Sequence, residues 1–205
     1  MPDLARRSTS MLCAIAVALL LLGCSSGGER SGSGSTSDAA TFDFAGNTPL
    51  GELVPVERRQ TAPAFGGELL DGTAFESASL AGDITVLNFW GSWCAPCRVE
   101  TPEFQSVHAD VADLGVRFLG VDVKDQRQLA QAFVDANGVG YPSLFDPRGE
   151  VALAFRGFPA NVVPSTILLD RAGRVAAVYV AVVPEADLRR ALDQLLAETP
   201  EDAPR

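Results

Sequence analysis

Two cysteines, Cys94 and Cys97, lie where an apolar segment of the chain gives way to a polar one. Residues 84–90, just before them, are mostly β-favouring and predict a buried strand, whereas the amphipathic stretch from Arg98 onward predicts a helix. Free N–H groups and the helix dipole favour negative charge at a helix N-terminus, so a cysteine placed there ionises more readily. Because only two residues separate the cysteines, their sulfurs can meet. The pair therefore predicts thiol–disulfide exchange.

Two other uses of a Cys-x-x-Cys pair have to be weighed against exchange. A structural zinc site needs four ligands, but the other cysteines, Cys13 and Cys24, lie far upstream, and His108 is the single histidine. We therefore expect no metal, no cofactor other than the redox-active disulfide, and a solvated surface position for His108. A purely structural disulfide would gain little from closing so short a loop.

Further segments at set distances from the cysteines strengthen this prediction. The matching parts are 86–90, the Trp-Cys-Ala-Pro-Cys motif at 93–97, Pro102 inside the predicted helix, 163–170 with Pro164 near its start, and the turn at 171–175. Over residues 62–197 the chain resembles the thioredoxin superfamily. More narrowly, it resembles the extracytoplasmic, membrane-tethered branch of that superfamily, the TlpA/ResA-like disulfide reductases.

The resemblance implies an α/β, thioredoxin-like fold. In that fold helices flank a central mixed sheet, with an N-terminal hairpin and a strand–helix insert before the cis-proline strand. Hydrophobic periodicity and turn residues predict the same order. The predicted elements are a hairpin at 68–75, a helical turn at 77–81, a strand at 84–90, a helix at 94–114, a strand at 116–121, a helix at 126–136, an insert at 141–146 and 151–155, hairpin strands at 165–170 and 175–180, and a helix from 184 to 197.

Cys94 and Cys97 have different predicted roles. Cys94 is nearest the helix start and is predicted to attack a client disulfide, after which Cys97 resolves the mixed disulfide. The resemblance implies a cis bond between Val163 and Pro164. That bond would bring backbone groups against the sulfurs and offer a short edge to a substrate peptide.

Three residues are predicted to contact the substrate: Trp93, Pro96 and Val163. Trp93 is expected to form an apolar rim around the sulfurs, whereas Trp90 packs in the core below them. Pro96 shapes the stiffness of the loop and removes a backbone donor. A proline in this position resembles the reducing members of the superfamily.

Asn88 marks a departure from plain thioredoxins, which carry at the matching position a buried acid that shuttles the proton of the resolving thiol. In the TlpA/ResA-like branch an acidic residue near the start of the insert approaches the cysteines, and Asp125 matches it. Asp125 is therefore predicted to accept the proton of Cys97. The alternative is that Asp125 is the N-cap of the helix beginning at Gln126, and both can hold.

The N-terminal residues predict a bacterial lipoprotein leader. A positive start is followed by an apolar run too short to span a membrane, and Leu-Leu-Gly precedes Cys24, the predicted lipidation site. Ordinary secretion with a free Cys24 is the alternative. The predicted divisions are a signal peptide at 1–23, a lipid-anchored flexible linker at 24–41, an N-terminal extension at 42–61, a thioredoxin-like domain at 62–199 and a tail at 200–205.

The resemblance implies a protein-disulfide reductase held by its lipid on the extracytoplasmic face of the bacterial cell membrane. The implied client is an apocytochrome c, whose haem-attachment cysteines must be kept as thiols. Electrons are expected from a membrane-embedded thiol transporter. The formal net charge of −10 argues against nucleic acid as a partner, and we expect a monomer.

Three alternative functions were weighed. A disulfide oxidase for secreted proteins would use the Cys94–Cys97 pair in the opposite direction, and its reduction potential would distinguish it. Peroxidase chemistry, which peroxiredoxins perform on this fold, needs a proline and a threonine before the nucleophile, and residues 87–93 do not supply them. A copper-binding lipoprotein would bind Cu(I) through both thiolates, but related carriers add a histidine and space their cysteines more widely.

Overall fold

A five-stranded mixed sheet lies at the centre of the structure, a computed structural model that describes residues 42–44, 48–159 and 161–198. The elements in chain order are β1 (Gly66–Glu68), β2 (Ala74–Glu76), β3 (Ile84–Trp90), α1 (Ala95–Val111), β4 (Val116–Val123), α2 (Arg127–Asn137), β5 (Ser143–Asp146), α3 (Glu150–Ala154), β6 (Ser165–Leu169), β7 (Val175–Tyr179) and α4 (Glu185–Ala197). The predicted leader, the Cys24 lipidation site, the linker and the tail lie outside the described residues. Among the described helices, none has the length and apolar character needed to cross a membrane.

The sheet has the strand order β5-β4-β3-β6-β7. Strands β3, β4 and β5 are parallel, and β6 is antiparallel to both of its neighbours. All seven residues of β3 are buried, in keeping with the continuous apolar run that predicted this strand. Helix α1 connects the parallel strands β3 and β4. This is the mixed sheet with flanking helices, N-terminal hairpin and strand–helix insert that the sequence predicts.

Different parts of the chain cover the two faces of the sheet. On one face, Phe104 of α1 and Leu188 of α4 pack in one buried cluster with Val86 of β3. On the other face, Phe155, which follows α3, packs in a cluster with Phe89. Apolar residues spaced three or four positions apart give α1 and α4 the stripes that face the sheet.

Helix α1 starts at the cysteines and ends three residues before the predicted position. Cys94 is its N-cap residue, and Pro102 lies inside it, where proline cannot donate a backbone hydrogen bond. After Val111 the chain tightens into a 3-10 turn at Ala112–Leu114 and stops at Gly115, whose φ of +75° glycine adopts without strain. The first turn of α1 therefore lies at the carboxyl ends of the parallel strands, with both cysteines in it or at its cap.

The N-terminal hairpin has a longer loop than the predicted hairpin at 68–75. Leu69 and Leu70, expected in its first strand, lie after the end of β1. The Leu69 N–H still donates to the Thr73 carbonyl across the hairpin at 2.8 Å, and both residues also pair with β5. Leu69 forms a bridge with Leu144, and the Leu70 N–H donates to the Ser143 carbonyl at 2.9 Å. The loop therefore covers the exposed edge of β5, which would otherwise present unpaired backbone groups.

The N-terminal extension covers the opposite edge of the sheet. The N–H of Val54 donates to the carbonyl of Ala176 in β7 at 2.7 Å, and Phe42 is buried against the domain. Arg59 fastens this segment through a buried ion pair with Asp170 at 3.2 Å and a second pair with Glu198 at 2.6 Å. The extension thus packs as part of the fold.

Candidate active site

The two cysteines form a disulfide at the corner between β3 and α1, with an S–S distance of 2.01 Å. The Sγ of Cys94, the N-cap residue, accepts a hydrogen bond from the Cys97 backbone N–H at 3.2 Å. Both side chains are buried, Cys94 to 3% exposure and Cys97 to 1%. Once the pair is reduced, this helix N-terminus favours negative charge on Cys94. The predicted roles of nucleophile and resolving thiol remain predictions, and this geometry permits them.

Two stacked aromatic side chains pack beside the disulfide. Trp90 is buried and packs in one cluster with both cysteines, as predicted from its place at the end of β3. Its indole stacks on the ring of Phe133 from α2, with centroids 4.8 Å apart. The sulfurs therefore lie on a rigid apolar layer, which restricts the motion of the first turn of α1.

The loop between β3 and α1 is held by the segment that follows β4. The Ser92 N–H donates to Asp125 Oδ2 at 2.6 Å, and the Trp93 indole N–H donates to the Val123 carbonyl at 3.1 Å. The Trp93 ring is 52% exposed beside the cysteines, where the predicted rim should be. It folds so closely over Gly91 that a Cβ there would lie 2.5 Å from Nε1. A side chain at Gly91 would therefore displace the indole.

The Val163–Pro164 peptide bond is cis, as the resemblance implies. Pro164 is buried at the start of β6, and Val163 is partly buried against the cluster that contains the cysteines. Pro96 is exposed in the first turn of α1. The structure thus brings Val163, which is distant in the sequence, against the cysteine cluster. Trp93 and Pro96 are adjacent to the cysteines in the sequence.

Asp125 lies beside the loop, one residue before the N-cap position of α2. That helix starts at Arg127 with Gln126 as its N-cap, so the alternative role of Asp125 as helix N-cap was wrong. The carboxylate accepts from Ser92 N–H and from Gln126 N–H at 2.8 Å. Burial raises its pKa, but these hydrogen bonds outweigh burial and lower the pKa overall. Asp125 therefore holds the loop as an ionised group, and its proposed exchange of a proton with Cys97 remains a prediction.

A buried carboxyl that the sequence did not point to lies one helical turn after Cys97. Glu100 is 1% exposed, and Asn88 donates its amide Nδ2 to Glu100 Oε2 at 2.9 Å. The Val183 N–H donates to the other oxygen at 2.8 Å. Burial raises the pKa of Glu100 to about 7, although both hydrogen bonds oppose the rise. Glu100 can therefore hold or release a proton near neutral pH.

Helical periodicity could have revealed Glu100. Residues Cys97, Thr101 and Phe104 are all buried on the inner face of α1, and Glu100 falls within that stripe. A single charged residue within a stripe of uncharged, inward-facing residues is a signal for a buried titratable group. Asn88 of β3, where the sequence departs from plain thioredoxins, supplies the partner of this buried carboxyl.

His108 does not occupy the solvated position that the sequence predicted. Its ring is partly buried and packs edge-on against Phe118 and Tyr141, with centroids 5.4 Å away in both cases. Its Nδ1 is buried without a hydrogen-bond partner among the described residues, and burial lowers its pKa. In α1, His108 lies four residues after the buried Phe104 and three before the buried Val111, so it falls on the inner face of the helix, which explains the packing.

Comparison with known proteins gives the same assignment as the geometry. The sequence model of the AhpC/TSA family matches residues 59–178. The thiol:disulfide interchange protein HelX of Rhodobacter capsulatus is 37% identical over 141 residues, which cover 67% of this chain and 76% of that protein. The thiol-disulfide oxidoreductase ResA of Bacillus subtilis is 29% identical over 143 residues, 70% of this chain and 75% of that protein.

Solved structures extend the similarity to most of the described fold. A DsbF homologue from Corynebacterium diphtheriae superposes with a TM-score of 0.71 at 38% identity, covering 76% of this chain and 99% of that one. A secreted thiol-disulfide isomerase from Corynebacterium glutamicum gives a TM-score of 0.72 at 36% identity, covering 77% and 98%. The chain has a thioredoxin-like fold, is a thiol-disulfide oxidoreductase, and belongs to the AhpC/TSA family.

Proposed function

We propose that the protein reduces disulfides of client proteins outside the cytoplasm, with the haem-attachment cysteines of an apocytochrome c as client. One observation carries the direction of electron flow. In the part of the chain that the structure describes, the Cys94 sulfur accepts one hydrogen bond, from the Cys97 N–H. Pro96, between them, has no N–H to offer. The Cys94 thiolate therefore lacks one hydrogen bond that this helix N-terminus could otherwise give it, and a less stabilised thiolate favours the disulfide form and makes the dithiol a better reductant.

Glu100 supports the same direction. When it is ionised, its negative charge lies one turn from Cys97 and disfavours a second negative charge on the thiols. It is also the buried group that can take the Cys97 proton when the resolving step requires a thiolate. The same carboxyl therefore makes the reduced pair less stable and its oxidation faster.

The proposed reaction begins with the reduced protein. The Cys94 thiolate attacks one sulfur of the client disulfide, and the client S–S bond breaks as the Cys94–client bond forms. The bonding electron pair leaves on the other client sulfur, which takes a proton from solvent. The product is a mixed disulfide in which one client thiol is already free.

The second half releases the client. Cys97 gives its proton to the Glu100 carboxylate, and its thiolate attacks the Cys94 sulfur. The Cys94–client bond breaks as the Cys94–Cys97 disulfide seen in the structure forms. The second client sulfur leaves as a thiolate and takes a proton from solvent, to which Glu100 releases the proton that it accepted. The client has then gained two electrons and two protons. A membrane-embedded dithiol carrier is proposed to return both to the protein.

The proposed location rests on the N-terminal sequence and on the relatives. The leader at 1–23, Cys24 as lipid site and the Gly/Ser-rich linker at 24–41 would hold the domain near the membrane and within reach of such a carrier. The similarity to ResA, HelX and a secreted isomerase supports an extracytoplasmic site.

A second candidate uses the same residues in reverse, to form or rearrange disulfides in secreted proteins. The similarity to the C. glutamicum secreted thiol-disulfide isomerase favours it. The two candidates differ in the reduction potential of the Cys94–Cys97 pair. If the reduced form has a strongly stabilised thiolate, the disulfide is an oxidant.

The test is electron transfer to a peptide that carries an oxidised Cys-x-x-Cys-His sequence. We expect the reduced protein to convert the peptide to its dithiol faster than glutathione at the same thiol concentration, measured by alkylation and mass spectrometry. A protein that instead oxidises the reduced peptide would establish the second candidate. Cys94→Ser is the control for the chemistry. A peptide with alanine in place of histidine is the control for the client, and equal rates for both peptides would exclude a haem-motif preference.

A further inference from the structure

A second buried carboxyl, Asp122, has no role in the reaction described above. It lies next to the end of β4, where it faces Trp90 of β3 on one side and Phe145 of β5 on the other. Its exposure is 0%. Among the described residues, no N–H or O–H group donates to either carboxyl oxygen. A buried carboxylate without a donor is costly, so the surroundings of Asp122 favour the protonated form.

The charged groups that face Asp122 come from three elements. They are Asp125 from the loop after β4, Asp146 from β5 and Arg127 from α2. Burial, followed by the charge of Asp125 and a hydrogen bond with it, raises the pKa of Asp122 to about 8, and Arg127 opposes this rise. A protonated carboxyl has one O–H to donate, and it needs an acceptor.

Asp125 is the acceptor. The carboxylate of Asp146 already accepts the N–H groups of Glu150 and Val151 at the start of α3, at 2.8 and 2.9 Å. The contact between Asp122 and Asp125 raises the pKa of the first and contributes to lowering that of the second, as expected when one carboxyl donates and the other accepts.

The backbone between the two aspartates is held in an unusual conformation. Lys124 has a φ of +53°, in the left-handed region that non-glycine residues seldom adopt. Such a conformation persists where contacts on both sides fix it, and these turns cluster at functional sites. Here the turn follows the Val123 carbonyl, which binds the Trp93 indole, and precedes Asp125, which binds the Ser92 N–H.

We propose that Asp122 is a positioning residue for the catalytic loop: its proton is donated to Asp125, which in turn holds the Ser92 N–H and fixes the segment that carries Cys94. The Ser92 carbonyl is held from the other side by Arg98 at 2.9 Å. The proposal deepens the proposed function, because it concerns the residues that place the nucleophile for exchange.

Loss of the Asp122 proton to solvent removes its hydrogen bond to Asp125. Two carboxylates then face each other without a proton between them, and their repulsion pushes Asp125 away from Ser92. Asp146 does not replace this contact, because both of its carboxyl oxygens accept backbone N–H groups, from Glu150 and Val151. The loop therefore becomes less ordered as the pH rises through about 8.

The test measures the Ser92 amide by NMR in the oxidised protein, in which neither cysteine titrates. We expect the amide resonance of the wild-type protein to shift upfield with a midpoint near pH 8 as its hydrogen bond weakens. Asp122→Asn offers an amide N–H to Asp125 in place of the O–H and cannot ionise, so this step should vanish and the low-pH position should persist. Glu100→Gln, the matched change at the other buried carboxyl, should leave the step in place.

A step that persists in Asp122→Asn, or a Ser92 amide that does not move in the wild-type protein between pH 6 and 9.5, would overturn the proposal. The carboxyl ¹³C shift of Asp122 in the wild-type protein provides a measurement that does not depend on the folding of any variant. It should report a protonated group at pH 6, and an ionised group there would also refute the proposal. Neither measurement needs a client, so failure of the peptide test and failure of this one are distinguishable.

Discussion

Cys97→Ser is expected to stop the reaction at a covalent complex between Cys94 and the client. The Cys94 sulfur, at the N-cap of α1, can still attack, but the thiol that would release the client is gone. Multiple-turnover reduction of the peptide should fall by at least about 10³-fold, in line with the loss of an essential nucleophile. The complex should appear as a mass equal to protein plus peptide, measured without reductant.

Cys94→Ser is the matched control, since it removes one sulfur from the same pair. It should form no complex, because the N-cap position that favours a thiolate belongs to Cys94, whereas Cys97 lies inside the first turn of the helix. Capture of the client by Cys97 in this variant would show that the roles of the two cysteines are exchanged.

Glu100→Gln is expected to slow the second half of the reaction by roughly 10²- to 10⁴-fold, the usual range for the loss of a general base. Glutamine keeps the shape and can still bond Asn88, but it cannot take the Cys97 proton. The first half should proceed, so the mixed disulfide should accumulate transiently in rapid-quench experiments. In the wild-type protein, the resolving rate should rise with pH through about 7, because the carboxylate is the accepting form.

Glu103→Gln is the control, with the same charge change three residues along the same helix. Its resolving rate should match that of the wild-type protein. Asp125→Asn compares the two candidate proton acceptors directly. If Asp125→Asn raised the apparent pKa of the Cys97 thiol and Glu100→Gln did not, Asp125 would be the proton acceptor, as the sequence predicts. The proposed role of Glu100 would then be refuted.

Glu100→Gln should also change how the stability of the protein depends on pH. In the folded protein Glu100 keeps its proton up to about pH 7, whereas in the unfolded chain it releases the proton near 4.5. The folded state therefore loses stability as the pH rises across this interval, by up to about 3 kcal/mol if the shift is fully expressed. Urea unfolding of Glu100→Gln should show this slope reduced.

The elements at the centre of the site could be predicted because local signals and tertiary contacts agree there. Residues 84–90 are mostly apolar and buried on both faces, so the predicted strand and β3 share the same bounds. The cis bond before Pro164 could not be predicted from the dipeptide, since few such bonds are cis. It followed from the family resemblance of the segment around it, and the structure has it.

The burial of Glu100 and Asp122 was not predicted, and the reason is physical. Sequence patterns treat an acid as a solvated residue, so β4 was expected to end at 121, just before Asp122. The strand continues to Val123 with Asp122 fully buried. What makes burial tolerable is a proton or a partner supplied from elsewhere in the chain: Asp125 for Asp122, and Asn88 for Glu100. The Asn88 partner of Glu100 comes from another element of the fold and leaves no local pattern, although the place of Glu100 in the buried stripe of α1 is itself a signal.

The same limit explains the hairpin. Leu69 and Leu70 are consecutive apolar residues just before a turn signal, and such a pair fits a hairpin strand as well as a segment that pairs with another strand. Only the position of the β5 edge, reached through Leu144 and Ser143, decides between these pairings.

The reduction potential of the Cys94–Cys97 pair tests the central claim most directly. It can be obtained by equilibrating the protein with glutathione or thioredoxin of known potential and counting the free thiols. We expect a value near that of thioredoxin, roughly −270 mV, because Pro96 denies the Cys94 thiolate a second hydrogen bond and Glu100 disfavours negative charge nearby. A value near that of DsbA, about −120 mV, would contradict it, since about 30 mV corresponds to a tenfold change in the equilibrium and the protein would then act as an oxidant of secreted proteins.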